Sequence, residues 1–160
     1  MREDDSVITL RAPLPEELPA ASALCLRSKA HWGYDAAFMA ACVEELTLTE
    51  DELLTTKVTL AFADGALAGV AQVSNSEAGC FLEKLFVEPA HMGRGLGRVL
   101  FRWSCEAARE LGASEMIVEA DPDAEAFYCA MGCTPAGSAP SGSIPGRVLP
   151  RLLHDLRPVA

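Results

Sequence analysis

A chain of 160 residues, half of them hydrophobic, has the length of one domain and enough apolar content for a full core without covalent staples. Its 23 Asp and Glu against 13 Lys and Arg, a formal net charge of −10, argue against nucleic acid as a ligand, because phosphate contacts need a basic face; a cationic partner is favoured, although acidity also serves solubility alone. The apolar stretches fall well short of the roughly 20 residues a membrane span requires, and the start Arg2-Glu3-Asp4-Asp5 is unlike a secretory leader, so a soluble, cytoplasmic protein is expected.

Val7 to Arg11 is a short strand. A helix then begins between Pro15 and Pro19, with Glu16 and Glu17 in its first turn, and runs to about Ala30. Asp35 can cap a second helix whose Phe38, Met39, Cys42, Val43 and Leu46 share one face. Thr49 followed by Glu52 has capping-box spacing and predicts a short helix over 50–56. Val58 to Ala63 and Leu67 to Ser74 read as strands joined at Asp64-Gly65, a hairpin signal, and Gly79 to Val87 continues the antiparallel sheet until Pro89 ends it. The next helix carries Leu96, Val99, Leu100, Trp103, Ala107 and Leu111 at helical spacing and stops at Gly112. Met116 to Ala120 is then a strand reached by a right-handed crossover, hence parallel to the strand ending at Val87. Asp121 caps a further helix, with Pro122 at its first position and Gly132 at its end. Thr134 to Ala139 and Val148 to Leu156 form a closing antiparallel pair around the loop Pro140 to Arg147.

Six cysteines occur without a Cys-x-x-Cys pair or matching histidines, so reduced thiols are expected and a zinc site is not. The chemistry concentrates between Val87 and Leu100. There Gly93, Gly95 and Gly97 remove Cβ atoms where a strand turns into a helix, so backbone N–H groups can converge on an anion at the positive helix end. A P-loop does not fit, because the residue five after Gly93 is Arg98 and Val99 follows. Nor does a dinucleotide fingerprint, whose third glycine would fall on Arg98 or Leu100, with too little chain after it for a doubly wound domain.

The order Met92, Gly95, Gly97 resembles the Arg/Gln-x-x-Gly-x-Gly/Ala loop of the GNAT superfamily of acyl-CoA-dependent N-acetyltransferases, Met92 standing where that family usually has Arg or Gln. Asp121-Pro122-Asp123-Ala124-Glu125-Ala126-Phe127-Tyr128, closing at Met131-Gly132-Cys133, resembles the family's Asn-Pro-x-Ala-x-x-Phe-Tyr segment. The resemblance, carried by residues 80 to 133, implies an α/β (α+β) fold: a mixed, mostly antiparallel sheet with a central parallel β-α-β crossover and helices on both faces. It also implies one N-acetyltransferase domain that uses acetyl-CoA and no metal. The coenzyme would be held by Met92, Gly93, Arg94, Gly95, Leu96, Gly97 and Arg98, and by the backbone of Leu85, Phe86 and Val87 at a kink or bulge. Asp121 and Asp123 suit helix capping, and Asp123 is a further coenzyme contact.

Tyr128 matches the family's tyrosine near the coenzyme sulfur and is the general-acid candidate, since a phenol of ordinary pKa about 10 can reprotonate a thiolate. Read without the resemblance, it equally suits an aromatic core residue. Glu83 is the general-base candidate, but a register slip of one residue would turn it to solvent or onto Lys84. Trp32 and Tyr34 flank Gly33 in the first helix–helix turn, either holding an amine by cation–π contact or packing the helix pair together. His31 reads as a surface residue. The implied partners are a small, cationic primary amine that attacks directly and a second copy of the chain, with no nucleic acid and no membrane. A non-catalytic acyl-CoA-binding module and a protein N-terminal or lysine acetyltransferase are the alternatives.

Overall fold

The computed structural model describes residues 7–158; the acidic start Arg2 to Asp5 lies outside the described residues. Seven strands form one sheet: β1 (Ile8–Arg11), β2 (Lys57–Ala63), β3 (Ala66–Ser76), β4 (Gly79–Val87), β5 (Glu115–Glu119), β6 (Thr134–Pro140) and β7 (Val148–Asp155), in the order β1-β2-β3-β4-β5-β7-β6. Among them only β4 and β5 run parallel. Five helices accompany the sheet: α1 (Leu18–Ala30), α2 (Ala36–Leu46), α3 (Glu50–Thr55), α4 (Leu96–Glu110) and α5 (Glu125–Ala130). No described helix is long and apolar enough to cross a membrane.

The helices cover both faces of the sheet, and alternation along β3 shows how. Val70 packs with Leu18, Leu24 and Cys25 of α1 and Cys42 and Leu46 of α2, whereas Ala71 meets Leu96 and Leu100 of α4. Local signals set the element ends. Asp35 Oδ1 accepts from the Phe38 N–H at 2.8 Å to start α2, and Thr49 with Glu52 forms the reciprocal cap of α3. The buried face of α4 is wider than the expected stripe: Phe101, Ser104, Cys105 and Ala108 are buried as well, and Phe101 meets Tyr128 of α5 and His154 of the sheet strand β7.

Two irregularities open the site. The β4–β5 ladder has a single register pair, Phe81 with Ile117, so the strands share no ladder toward their C-terminal ends. On its other side β4 carries a β-bulge: Gln72 pairs with Lys84 and Val73 with Leu82, which leaves Glu83 as the extra residue.

Candidate active site

A cavity of about 560 Å³ occupies the gap between β4 and β5. Its walls come from Leu82 to Val87 of β4, Val118 to Asp121 at the end of β5, the Met92–Arg98 loop, and α5. Ligand sites of parallel sheets form at the C-terminal ends of strands, and the loss of the β4–β5 ladder makes such an opening here.

The loop end of the cavity is built for an anion. Gly95, the N-cap of α4, has φ 80° and Gly93 has φ 83°, both in the left-handed region where a side chain would be strained. The first backbone bond of α4 runs from the Val99 N–H to the Gly95 carbonyl at 3.2 Å, which leaves the N–H groups of Leu96, Gly97 and Arg98 without an intrahelical acceptor. Arg94 and Arg98 are exposed and form no ion pair among the described residues; Arg98 lines the cavity and Arg94 does not. Leu96 is buried beneath the loop. At Gly97 space rather than φ is limiting, since a Cβ there would lie 3.1 Å from the Phe127 ring. His91, which sequence reasoning passed over, also lines the cavity, and its Nδ1 is buried without a hydrogen-bond partner. Converging N–H groups, unpaired guanidinium groups and an orphaned ring nitrogen fit a ligand carrying both phosphates and amide-type polar atoms, as coenzyme A does.

At the centre stands Tyr128, 7% exposed, in contact with Phe101 and Phe127. Both sequence readings hold for it: it belongs to the core cluster and it lines the cavity. Its hydroxyl has no hydrogen bond to another described residue, and burial first, then the neighbouring Cys133 and Asp121, pushes its pKa well above the usual phenol range. It is protonated at neutral pH. Glu83, the bulge residue on β4, is exposed and also lines the cavity; its Oε1 accepts from the Ser74 hydroxyl at 3.0 Å. It does not pair with Lys84. Instead the Lys84 ammonium, 6% exposed, donates to Gln72 Oε1 at 2.9 Å and lies 3.8 Å from Glu52 Oε2, while Gln72 Nε2 donates to the same Glu52 oxygen at 2.7 Å. The bulge thus turns two successive residues to different tasks, one at the cavity and one in a buried polar network. Leu85, Phe86 and Val87 line the cavity, with side chains that also pack into the core clusters.

The opposite end is walled by α1, α2 and the β6–β7 loop. Trp32 lines the cavity at 44% exposure, edge-on to His31. Tyr34 is set differently: its ring stacks on Phe38 at 3.9 Å and faces two cations of the chain itself, Lys29 Nζ at 5.5 Å and Arg147 Cζ at 5.2 Å. Its hydroxyl donates to Asp121 Oδ2 at 2.6 Å and accepts from Arg147 Nη2 at 2.7 Å. Burial first, then the bond to Asp121, pushes its pKa up to about 12. Asp121 has the capping role expected of it, through Oδ1 to the Asp123 N–H at 3.0 Å, and its Oδ2 makes further contacts that the sequence did not suggest. Burial raises its pKa, but the Tyr34 hydroxyl, the Asp123 N–H, Lys29 and Arg147 together outweigh that and hold it below the ordinary carboxylate value. Asp123 is exposed and lines the cavity. Glu45 of α2 accepts from the Ser143 hydroxyl, closing the β6–β7 loop against the helix. Of the six cysteines, Cys129 is exposed and the other five are buried and unpaired; burial pushes the Cys25 and Cys133 thiols up to about 12, so neither supplies a thiolate near neutrality. No group of three metal-ligating side chains occurs among the described residues.

Residues 25–140 match a family model described as an acetyltransferase (GNAT) domain. Streptothricin acetyltransferase from Streptomyces lavendulae is 46% identical over 59 residues, covering 36% of this chain and 31% of that protein, so the alignment spans about a third of the curated relative. Among solved structures, PaiA N-acetyltransferase from Thermoplasma acidophilum in complex with coenzyme A is similar at a TM-score of 0.76 with 16% identity, over 93% of this chain and 99% of that one. Nourseothricin acetyltransferase is similar at a TM-score of 0.68 with 24% identity, over 94% of this chain and 99% of that one. At these identities the structural likeness is one of fold.

Proposed function

This chain belongs to the GNAT acetyltransferase family, and from that premise we propose that the acceptor of this acetyl-CoA-dependent N-acetyltransferase is a small primary amine, cationic in solution, that attacks the thioester directly. The observation that carries the reading is that Glu83 and Tyr128, a carboxylate and a protonated phenol from different elements, line the same cavity at the β4–β5 gap. Direct transfer needs those two functions, a proton acceptor for the amine and a proton donor for the departing sulfur. The streptothricin and nourseothricin acetyltransferases support a small-molecule acceptor by their names.

When bound, acetyl-CoA supplies an activated acetyl group. The N–H groups opening α4, with Arg98 at the cavity and Arg94 outside it, hold the pyrophosphate, and the backbone of Leu85 to Val87 receives the pantetheine arm. Glu83 takes the ammonium proton directly or through water, and its bond to Ser74 fixes the carboxylate without neutralising it. Tyr128 gives the departing sulfur its proton. As the C–N bond forms and the C–S bond breaks, the newly acylated nitrogen sheds its second proton, which returns Tyr128 to the phenol.

Steady-state kinetics of Tyr128→Phe and Glu83→Gln test these roles. A positioned acid or base contributes roughly 10²- to 10⁴-fold. Tyr128→Phe is expected to lower kcat within that range and leave coenzyme A affinity within about threefold of wild type, and Glu83→Gln to lower kcat/KM for the amine, most strongly below about pH 9, where a primary amine arrives protonated. Unchanged kcat at saturating amine removes the corresponding residue from the mechanism.

A further inference from the structure

Three segments distant in sequence meet at one carboxylate oxygen in the acceptor wall. Asp121 Oδ2 lies 3.4 Å from Lys29 Nζ and 3.5 Å from Arg147 Nη2, and it accepts from the Tyr34 hydroxyl at 2.6 Å. The three charged side chains are 13–18% exposed, and all three residues line the cavity. The other charged residues lining the cavity are Arg98 and the carboxylates Glu45, Glu83, Glu119 and Asp123, with Glu119 3.9 Å from Arg151; the Lys84 ammonium is already committed to Gln72 and Glu52. Two fixed cations at the mouth of an amine site are a liability, because they repel an ammonium and attract a carboxylate. One partly buried carboxylate between them offsets one of the two charges and, through Tyr34, holds Arg147 over the Tyr34 and Phe38 rings.

We propose that Asp121 is a specificity-determining residue: by offsetting Lys29 and Arg147 and fixing Arg147 through Tyr34, it makes the cavity accept a cationic amine in preference to an amine that carries a carboxylate. The assignment rests on the amine-acceptor reading and deepens it. Asn at this position would keep the side-chain shape and, with its one oxygen on the Asp123 N–H, the cap; its Nδ2 would then donate to the Tyr34 hydroxyl oxygen and the charge would be lost, which separates the electrostatic role from the capping role.

The test compares propane-1,3-diamine with β-alanine as acceptors for the full-length wild type, Asp121→Asn, Arg147→Gln and the double variant. Removing one unit charge from the acceptor wall shifts the binding of an acceptor's charged tail by roughly tenfold after screening, in opposite directions for an ammonium and a carboxylate. The ratio of kcat/KM for diamine over β-alanine compounds the two opposite shifts and is expected to fall by roughly a hundredfold in Asp121→Asn, through KM, with the change shrinking as salt is added. Deleting the opposing charge in the double variant is expected to restore the ratio, and Arg147→Gln alone to raise it, while coenzyme A affinity stays unchanged in all three variants. An unchanged ratio in Asp121→Asn, or equal loss toward both amines with no recovery in the double variant, overturns the assignment. If Asp121→Asn does not fold, the rise in Arg147→Gln decides, and its absence is equally fatal. A wild type that acetylates neither amine overturns the acceptor reading and this assignment with it, whereas diamine turnover with unaltered ratios overturns the assignment alone.

Discussion

His154 illustrates how a single half-buried ring couples this fold to pH. It packs edge-on against Phe101 at a centroid distance of 4.9 Å, and its Nδ1 lies 3.8 Å from Cys133 Sγ. Burial first, with the charge of Arg109 adding to it, lowers its pKa below the ordinary histidine value. The folded state therefore holds the ring neutral at a pH where the unfolded chain already protonates it. Stability is full above the unfolded value of about 6.5 and falls as pH drops through that value toward the folded one. The urea midpoint is expected to decline between about pH 7 and 5, and His154→Phe to flatten that part of the profile; a midpoint equally pH-dependent in both proteins would assign the decline elsewhere. At the residue scale the sequence was most legible where chemistry is local. Met92 to Arg98 stood out by glycine spacing, and Tyr128 by its place in a segment that resembles the family's. Lys29, Arg147 and the buried side of Lys84 did not, because their partners lie 92, 113 and 12 residues away and no periodic pattern encodes such contacts.

Among the elements, the junction of α4 with α5 ties the anion cradle to the candidate acid. Phe127 rests on Gly97 in the first turn of α4, and Tyr128 follows it on α5. A larger residue at that point has to push the ring and, with it, the phenol. Gly97→Val is expected to destabilise the fold by about 1–3 kcal/mol, the usual cost of overpacking, and to weaken coenzyme A binding at least tenfold. Chemical denaturation and a coenzyme titration measure both, and wild-type values in each would show that the cradle and α5 are independent. Helix and hairpin boundaries were readable because caps and turns are written in adjacent residues: Asp35, Thr49 with Glu52, and Asp64-Gly65 all act within a few positions. Family resemblance put a kink or bulge of β4 at Leu85 to Val87, but those residues pair in regular register with β3 and the bulge lies at Glu83, a position fixed by that pairing rather than by anything in β4 itself.

For the whole molecule, the decisive feature is a sheet that fails to close between β4 and β5, with α4 beginning beside the gap. Alternating strand signals and one helical crossover made the mixed sheet legible. That β7 rather than β6 lies against β5 was not, since either strand of an antiparallel pair has the same local pattern and only packing against β5 decides. The gap also reconciles the charge balance with an anionic co-substrate: a chain of net charge −10 sets Arg98, which has no ion pair among the described residues, and the opening N–H groups of α4 on the cavity. The most direct test of this account is thiol release from acetyl-CoA by the purified protein on addition of propane-1,3-diamine, with mass spectrometry of the amine. Free thiol appearing in step with a diamine heavier by one acetyl group is the predicted result. Tight coenzyme A binding with no thiol release, across the diamine and a wider amine panel, would contradict it and leave a coenzyme-binding module in place of an enzyme.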